Sequence, residues 1–188
     1  VSRAAASVLA QVDGRSIYGG TPADASVIEA IRALKAKGQE VTFYPFILME
    51  QLAANGLADP WSEATDQPVL PWRGRITTTK AAGQAGLTGG IAAASGGGTG
   101  FFRPAAAAPV GQNGQAVTYS GPTEWRYRRF ILHYAKLCAI AGGVDAFCIG
   151  SELRGLTQIR GAGGSYPAVA ALKALAAEVR AILGLAVK

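Results

Sequence analysis

The amino-acid sequence predicts an α/β fold built around parallel strands, and three observations carry that prediction. Val144 to Ile149 is a short apolar run, partly β-branched and aromatic, bounded by Gly143 and Gly150. Such a run suits a strand covered on both faces. Helix-patterned segments flank it, and a helix-then-strand unit also occurs earlier, over 21–49; this alternation belongs to folds with a parallel sheet. Active sites of such folds gather at the carboxyl ends of the strands, which makes Glu152, just past Gly150, the leading candidate site residue.

The segment before Gln11 fits either a helix or the tail of a strand. Thr21 to Lys37 reads as a helix, with Thr21 as cap, Pro22 at the first helical position and Asp24 three residues after the cap. Val27, Ile28, Ile31 and Leu34 form its apolar stripe, and Gly38 ends it. Val41 to Met49 reads as a strand. Pro45 lacks a ladder donor, so it marks a bulge or the point where the strand leaves the sheet. Tyr44 and Glu50 then stand near the rim at the same end as Glu152.

Residues 52–121 are rich in Gly, Ala, Pro and Thr, with the low-complexity runs Gly96 to Gly98 and Ala105 to Ala108. They read as a loop-rich insertion within one partial domain spanning 1–188. Within them lies the polar-aromatic patch Leu70-Pro71-Trp72-Arg73-Gly74-Arg75-Ile76; the motif of a phosphate loop is missing. Pro122 to Ala141 is a second helix, with Trp125, Tyr127, Phe130, Ile131, Tyr134, Leu137 and Cys138 on one face and arginines on the other. A third spans Pro167 to Leu183, with Val169, Leu172, Leu175, Val179 and Ile182 inward.

The 188 residues suffice for one domain with a core, and 49% hydrophobic against 16% charged residues favour folding over disorder. The net charge of +6 is scattered; its densest group, Arg126, Arg128 and Arg129, reads as a solvated helix face, so no nucleic-acid specificity is expected. Cys138 and Cys148 read as buried free thiols. With His133 as the only histidine, packed on a helix, no metal and no cofactor are expected. There is no signal peptide or membrane-spanning run, and the chain opens without Met, as a piece of a longer protein would.

Several segments together resemble the TIM-barrel-like domain of gene transfer agent and phage tail proteins, which is itself similar to glycoside hydrolases. They are Tyr18 to Pro22 with Asp24 to Ser26, Val41 to Met49, Pro71 to Ile76, Tyr127 to Ala141, Gly142 to Leu156 and Tyr166 to Leu172. The resemblance implies part of a (β/α)8 TIM barrel, roughly its N-terminal half. It also implies a place in a tail-tip or baseplate hub protein, made in the bacterial cytoplasm and carried in the tail of a virion-like particle. The implied partners are other tail proteins and cell-envelope polysaccharide or peptidoglycan glycan.

Many barrel glycosidases carry an acid/base Glu after strand four, commonly preceded by Asn. Glu152 takes the Glu place, while Ser151 departs from the Asn. Glycoside hydrolysis needs two carboxyl groups, and a retaining enzyme uses one as acid/base and one as nucleophile. The family's second carboxylate follows strand seven, so this chain alone is expected to be inactive. Glu50 is a candidate carboxylate at the same rim, where an exposed loop acid is the ordinary alternative. Tyr44 and Trp72 can stack on a sugar face or pack the rim. Arg73 and Arg75 can grip acidic groups or anchor a loop, and Arg154 can pair with Glu152 or with a neighbouring strand. Asp145, at the start of its strand, is at the wrong end for catalysis. A non-catalytic structural or carbohydrate-binding barrel is the other reading, because fold alone does not decide function.

Overall fold

A computed structural model of the chain describes residues 10–12, 15–17, 22–47, 49, 51–78, 80, 81, 83, 101, 102, 109–121 and 125–188. They divide into two units, one drawn from 1–45, 103–149 and 175–188, the other from 46–102 and 150–174. Mixed helix and strand with a parallel pairing, as the sequence predicts, is what the first unit contains.

In that unit α1 spans Asp24–Ala36. Asp24 in its first turn and Lys35 in its last complement the helix dipole. Gly38, at φ +72°, lets the chain turn away in the left-handed region. The helix begins later than expected. Ala23 occupies the cap position without a side-chain bond, Pro22 precedes it, and Thr21 lies outside the described residues. Val27, Ile28 and Ile31 are buried, whereas Leu34, expected on the same stripe, is exposed.

The parallel ladder pairs β3, Thr42–Phe43, with β6, Ala146–Phe147, in the register Thr42 to Ala146 and Phe43 to Phe147. Both strands are shorter than the apolar runs that contain them. Pro45, two residues past β3, has no N–H to donate, which suits the end of the ladder. Lys188 adds a rung on the far side of β6: its N–H reaches the Asp145 carbonyl at 3.1 Å, and its carbonyl accepts from the Phe147 N–H at 3.1 Å. That exchange is the parallel pattern, so the order is β3, β6, Lys188.

Asp145 fastens the start of this ladder. Its carboxylate accepts the Val41 N–H at 2.7 Å and meets Lys35 at 3.2 Å. The Val41 bond first, and then Lys35, hold its carboxyl below the usual carboxylate value.

Helix α2, Tyr127–Ile140, covers the ladder, with Tyr134 5.6 Å from Phe43 between ring centroids. Ile131, Leu137 and Cys138 are fully buried in it; burial pushes the Cys138 thiol up to about 12. Cys148 is half-buried and, like Cys138, is in no disulfide. Trp125, expected on the helical stripe, precedes the helix. Arg126 is exposed, but two of the arginines expected on a solvated face are engaged: Arg128 pairs with Glu178, and Arg129 lies over the rings of Tyr119 and Trp125 at 4.0 and 3.9 Å. Glu178 belongs to α4, Pro167–Leu183, which has the bounds expected of it. Its buried stripe is Ala168, Leu175 and Val179, while Val169, expected inward, is exposed.

Two antiparallel hairpins join the parallel pair. One is β1, Ala10–Val12, with β2, Arg15–Ile17. The other, β4 at Val110–Asn113 with β5 at Ala116–Tyr119, lies in the stretch expected to be loop-rich and packs on α2. Gly114, first of its two turn residues, has φ +58°, the sign that such tight turns require at this position.

The second unit is mostly irregular. It holds a 3-10 turn at Arg73–Arg75, the short α3 at Arg154–Thr157 and a 3-10 turn at Ala162–Gly164. Ile47, Phe102, Leu153, Leu156 and Ile159 are the larger of its buried apolar side chains among the described residues.

Candidate functional site

Glu152 lies in the second unit, in the bend between Gly150 and α3, with φ +55°. A side chain with a Cβ rarely adopts this left-handed conformation and pays about 1 kcal/mol or more for it. Its carboxylate is half exposed, and one oxygen, Oε2, takes two donors: the Trp72 indole N–H at 2.9 Å and an Arg73 guanidinium nitrogen at 2.7 Å. Arg73 also donates through Nε to the Ser151 carbonyl at 3.3 Å and reaches the Ser151 hydroxyl at 3.5 Å. Its guanidinium carbon stands 4.9 Å from the centre of the Phe46 ring.

Of the residues singled out from the sequence, Glu152, Ser151, Trp72 and Arg73 therefore come together. Tyr44 follows β3 in the first unit and is half exposed. Glu50 lies outside the described residues. Arg73, rather than Arg154, is the guanidinium that meets Glu152.

The turn that carries Trp72 and Arg73 is gripped on two sides. Arg75 donates through one guanidinium nitrogen to both Asp59 oxygens, at 2.8 and 2.7 Å, and its carbonyl accepts the Trp61 indole N–H at 2.8 Å. Asp59 is buried and takes two further donors, the Trp61 amide at 3.1 Å and the Ser62 hydroxyl at 2.9 Å. Burial pushes its carboxyl up, but the Trp61 amide, the Ser62 hydroxyl and Arg75 together bring it below the ordinary value. On the other side Gly155 of α3 lies so close that a Cβ there would meet the Ile76 carbonyl oxygen at 2.5 Å and that of Gly74 at 2.7 Å. Gly155 also accepts from the Thr77 hydroxyl at 3.2 Å.

Chemically, the arrangement offers a half-exposed indole ring, a carboxylate with an oxygen able to accept hydroxyl or amide donors, and a guanidinium held by a carbonyl, a hydroxyl and a ring. Sequence reasoning missed Asp59, Trp61 and Gly155. The signal was present in Asp59-Pro60-Trp61-Ser62: Asp followed by Pro starts turns, and the Asp59 side chain accepts from the amide two residues on.

In the first unit His133, read from sequence as a packed or half-exposed structural histidine, is buried with Nε2 3.0 Å from Asp24 and its ring 5.2 Å from that of Trp125. Asp24, Tyr119, Trp125, Arg129 and His133 line a cleft of about 260 Å³ with Val110 and Val117. Among the described residues no group of three His, Cys, Asp or Glu could hold a metal ion, and no helix is long and apolar enough to cross a membrane.

The stretch from Trp125 to Lys188 contains α2, β6, Ser151, Glu152, α3 and α4. Residues 125–188 match the GTA TIM-barrel-like domain. The match agrees with the resemblance seen in the sequence. Within the second unit it includes Ser151, Glu152 and Gly155, while Trp72, Arg73 and Asp59 come from outside the matched stretch. No curated protein matches the chain.

Proposed function

We propose that the chain is part of a glycoside hydrolase-like TIM-barrel domain in the tail of a gene transfer agent or phage-like particle. In this reading 1–188 belongs to a single barrel domain interrupted by the insertion 52–121, and Trp72, Arg73, Ser151 and Glu152 contact cell-envelope glycan during delivery. The observation that carries the reading is the Glu152 carboxylate, half exposed, held in a left-handed bend and met by the Trp72 indole and Arg73. Strained residues concentrate at functional sites, and an aromatic ring beside a charged acceptor–donor pair suits a sugar's apolar face and hydroxyls.

Binding without hydrolysis is the second reading, and two observations favour it. The Oε2 of Glu152 already accepts from two donors, whereas a general acid must present a proton to the leaving oxygen. Asp59, the buried acid of the same unit, is engaged by Arg75, Trp61 and Ser62 rather than turned to a second catalytic task.

The test uses the complete parent protein, wild type beside Glu152→Gln and Trp72→Ala, with release of reducing ends from purified envelope glycan and glycan binding measured together. Release that Glu152→Gln abolishes identifies a glycosidase. Binding that Trp72→Ala weakens, with no release from the wild type, identifies a binding barrel. A wild type that neither binds nor cleaves overturns both readings of the site.

A further inference from the structure

We infer that Asp59 is a positioning residue for the Glu152 site, acting through Arg75 and the turn between them. The chain of contacts is continuous. Asp59 holds the Arg75 side chain at 2.7 Å, and Trp61 holds the Arg75 carbonyl at 2.8 Å, so the residue is fixed at both ends. Arg75 closes the 3-10 turn, with its amide donating to the Trp72 carbonyl at 2.9 Å and the Ile76 amide to the Arg73 carbonyl at 3.1 Å. The indole N–H and guanidinium that meet Glu152 belong to those same two residues.

The far face of the turn leaves little slack. Gly155 is pressed against the carbonyls of Gly74 and Ile76, and the Trp72 ring folds back over Gly74, where a Cβ would collide with it. Gly155 follows Glu152 by one short turn of chain. The 3-10 turn is thus clamped between the Asp59–Trp61 loop and α3, and displacement at the Arg75 end is passed to Trp72. Asp59 touches neither Glu152 nor the exposed face of Trp72; its influence runs through backbone.

Only the ligand arm of the test rests on the glycan-contacting reading. In the complete protein the indole N–H resonance of Trp72 is assigned by its loss in Trp72→Phe, and Glu152→Gln supplies the position that this resonance takes when the carboxylate is neutralised. Asp59→Asn is expected to move the Trp72 resonance toward that position, speed its hydrogen exchange, and lower glycan affinity about tenfold, the scale on which small misplacements act. Asp59→Glu is expected to restore part of each. Arg75→Lys, which keeps the charge and loses the guanidinium, is expected to act in the same direction and serves if Asp59→Asn does not fold. A Trp72 resonance unmoved by both Asp59→Asn and Arg75→Lys, with only Trp61 responding, overturns the inference. Wild type that binds no glycan counts against the function proposed above and leaves the resonance test standing.

Discussion

Arg75 meets Asp59 and Arg73 meets Glu152 at the two ends of one three-residue turn, each at 2.7 Å. The distances are equal and the settings opposite. The Asp59 side chain is 7% exposed and takes donors from an amide, a hydroxyl and a guanidinium, while the Glu152 side chain is 50% exposed and sits on strained backbone. A paired carboxylate whose acceptor sites are filled and buried holds structure; one that keeps solvent access is open to a ligand. Ion-pair geometry alone does not separate the two.

The largest effect is expected where both pairs depend on one close approach. Gly155→Ala drives a methyl into two carbonyl oxygens and should destabilise the protein by about 2–3 kcal/mol, read as a lowered denaturant midpoint, and disturb both pairs together. A midpoint within error of wild type would show that the turn and α3 are not tightly coupled.

Asp59→Asn comes next, at about 2 kcal/mol, because a partly buried guanidinium loses its charged partner while Arg75 retains some solvent. Since the folded carboxyl of Asp59 is held below its ordinary value, its contribution is present above the unfolded-state value of about 3.9 and is lost as pH falls through the folded value. Denaturant midpoints in acid should therefore fall less steeply for Asp59→Asn than for wild type.

Glu152→Gly relieves the φ +55° strain but takes the charged partner from Arg73, a guanidinium only 16% exposed, so the two effects oppose and the net change should be about 1 kcal/mol or less. On the proposed reading of the site the substitution should also abolish glycan binding. A loss of stability would show that the Trp72 and Arg73 contacts outweigh the backbone strain. Smallest of all is the effect of salt: raising it to about 1 M should shift the Trp72 indole resonance by screening Arg73 from Glu152, while leaving Trp61, beside the buried pair, unmoved.

The helices and the parallel pairing were legible because their signals are local and periodic. The bounds of α4 follow from Pro167 and an apolar repeat. A change of direction before Glu152 was legible from Gly150, but the strand itself stops earlier, at Phe147. The rest was not legible for physical reasons. Which acid each arginine meets depends on contacts across 16 residues for Arg75 and 78 or more for Arg73, and periodicity says nothing about these. The hairpin at 110–119 was hidden because its flanking stretch is Gly- and Ala-rich, although Gly114 at the first turn position is a turn signal. Val169 and Leu34 fit their apolar stripes on paper, yet only Ala168, Leu175 and Val179, and Val27, Ile28 and Ile31, find cover.

The ladder order β3, β6, Lys188 repeats the order of the chain. Each addition therefore meets an edge that the preceding element has already set out, although β3 at 42–43 waits for β6 at 146–147 before the ladder can begin. During that growth the most recently added edge carries unpaired N–H and C=O groups. A ribosome that pauses after β6 would leave that edge waiting for the segment at Lys188, and the nascent chain would be most prone to stick to its neighbours at that point.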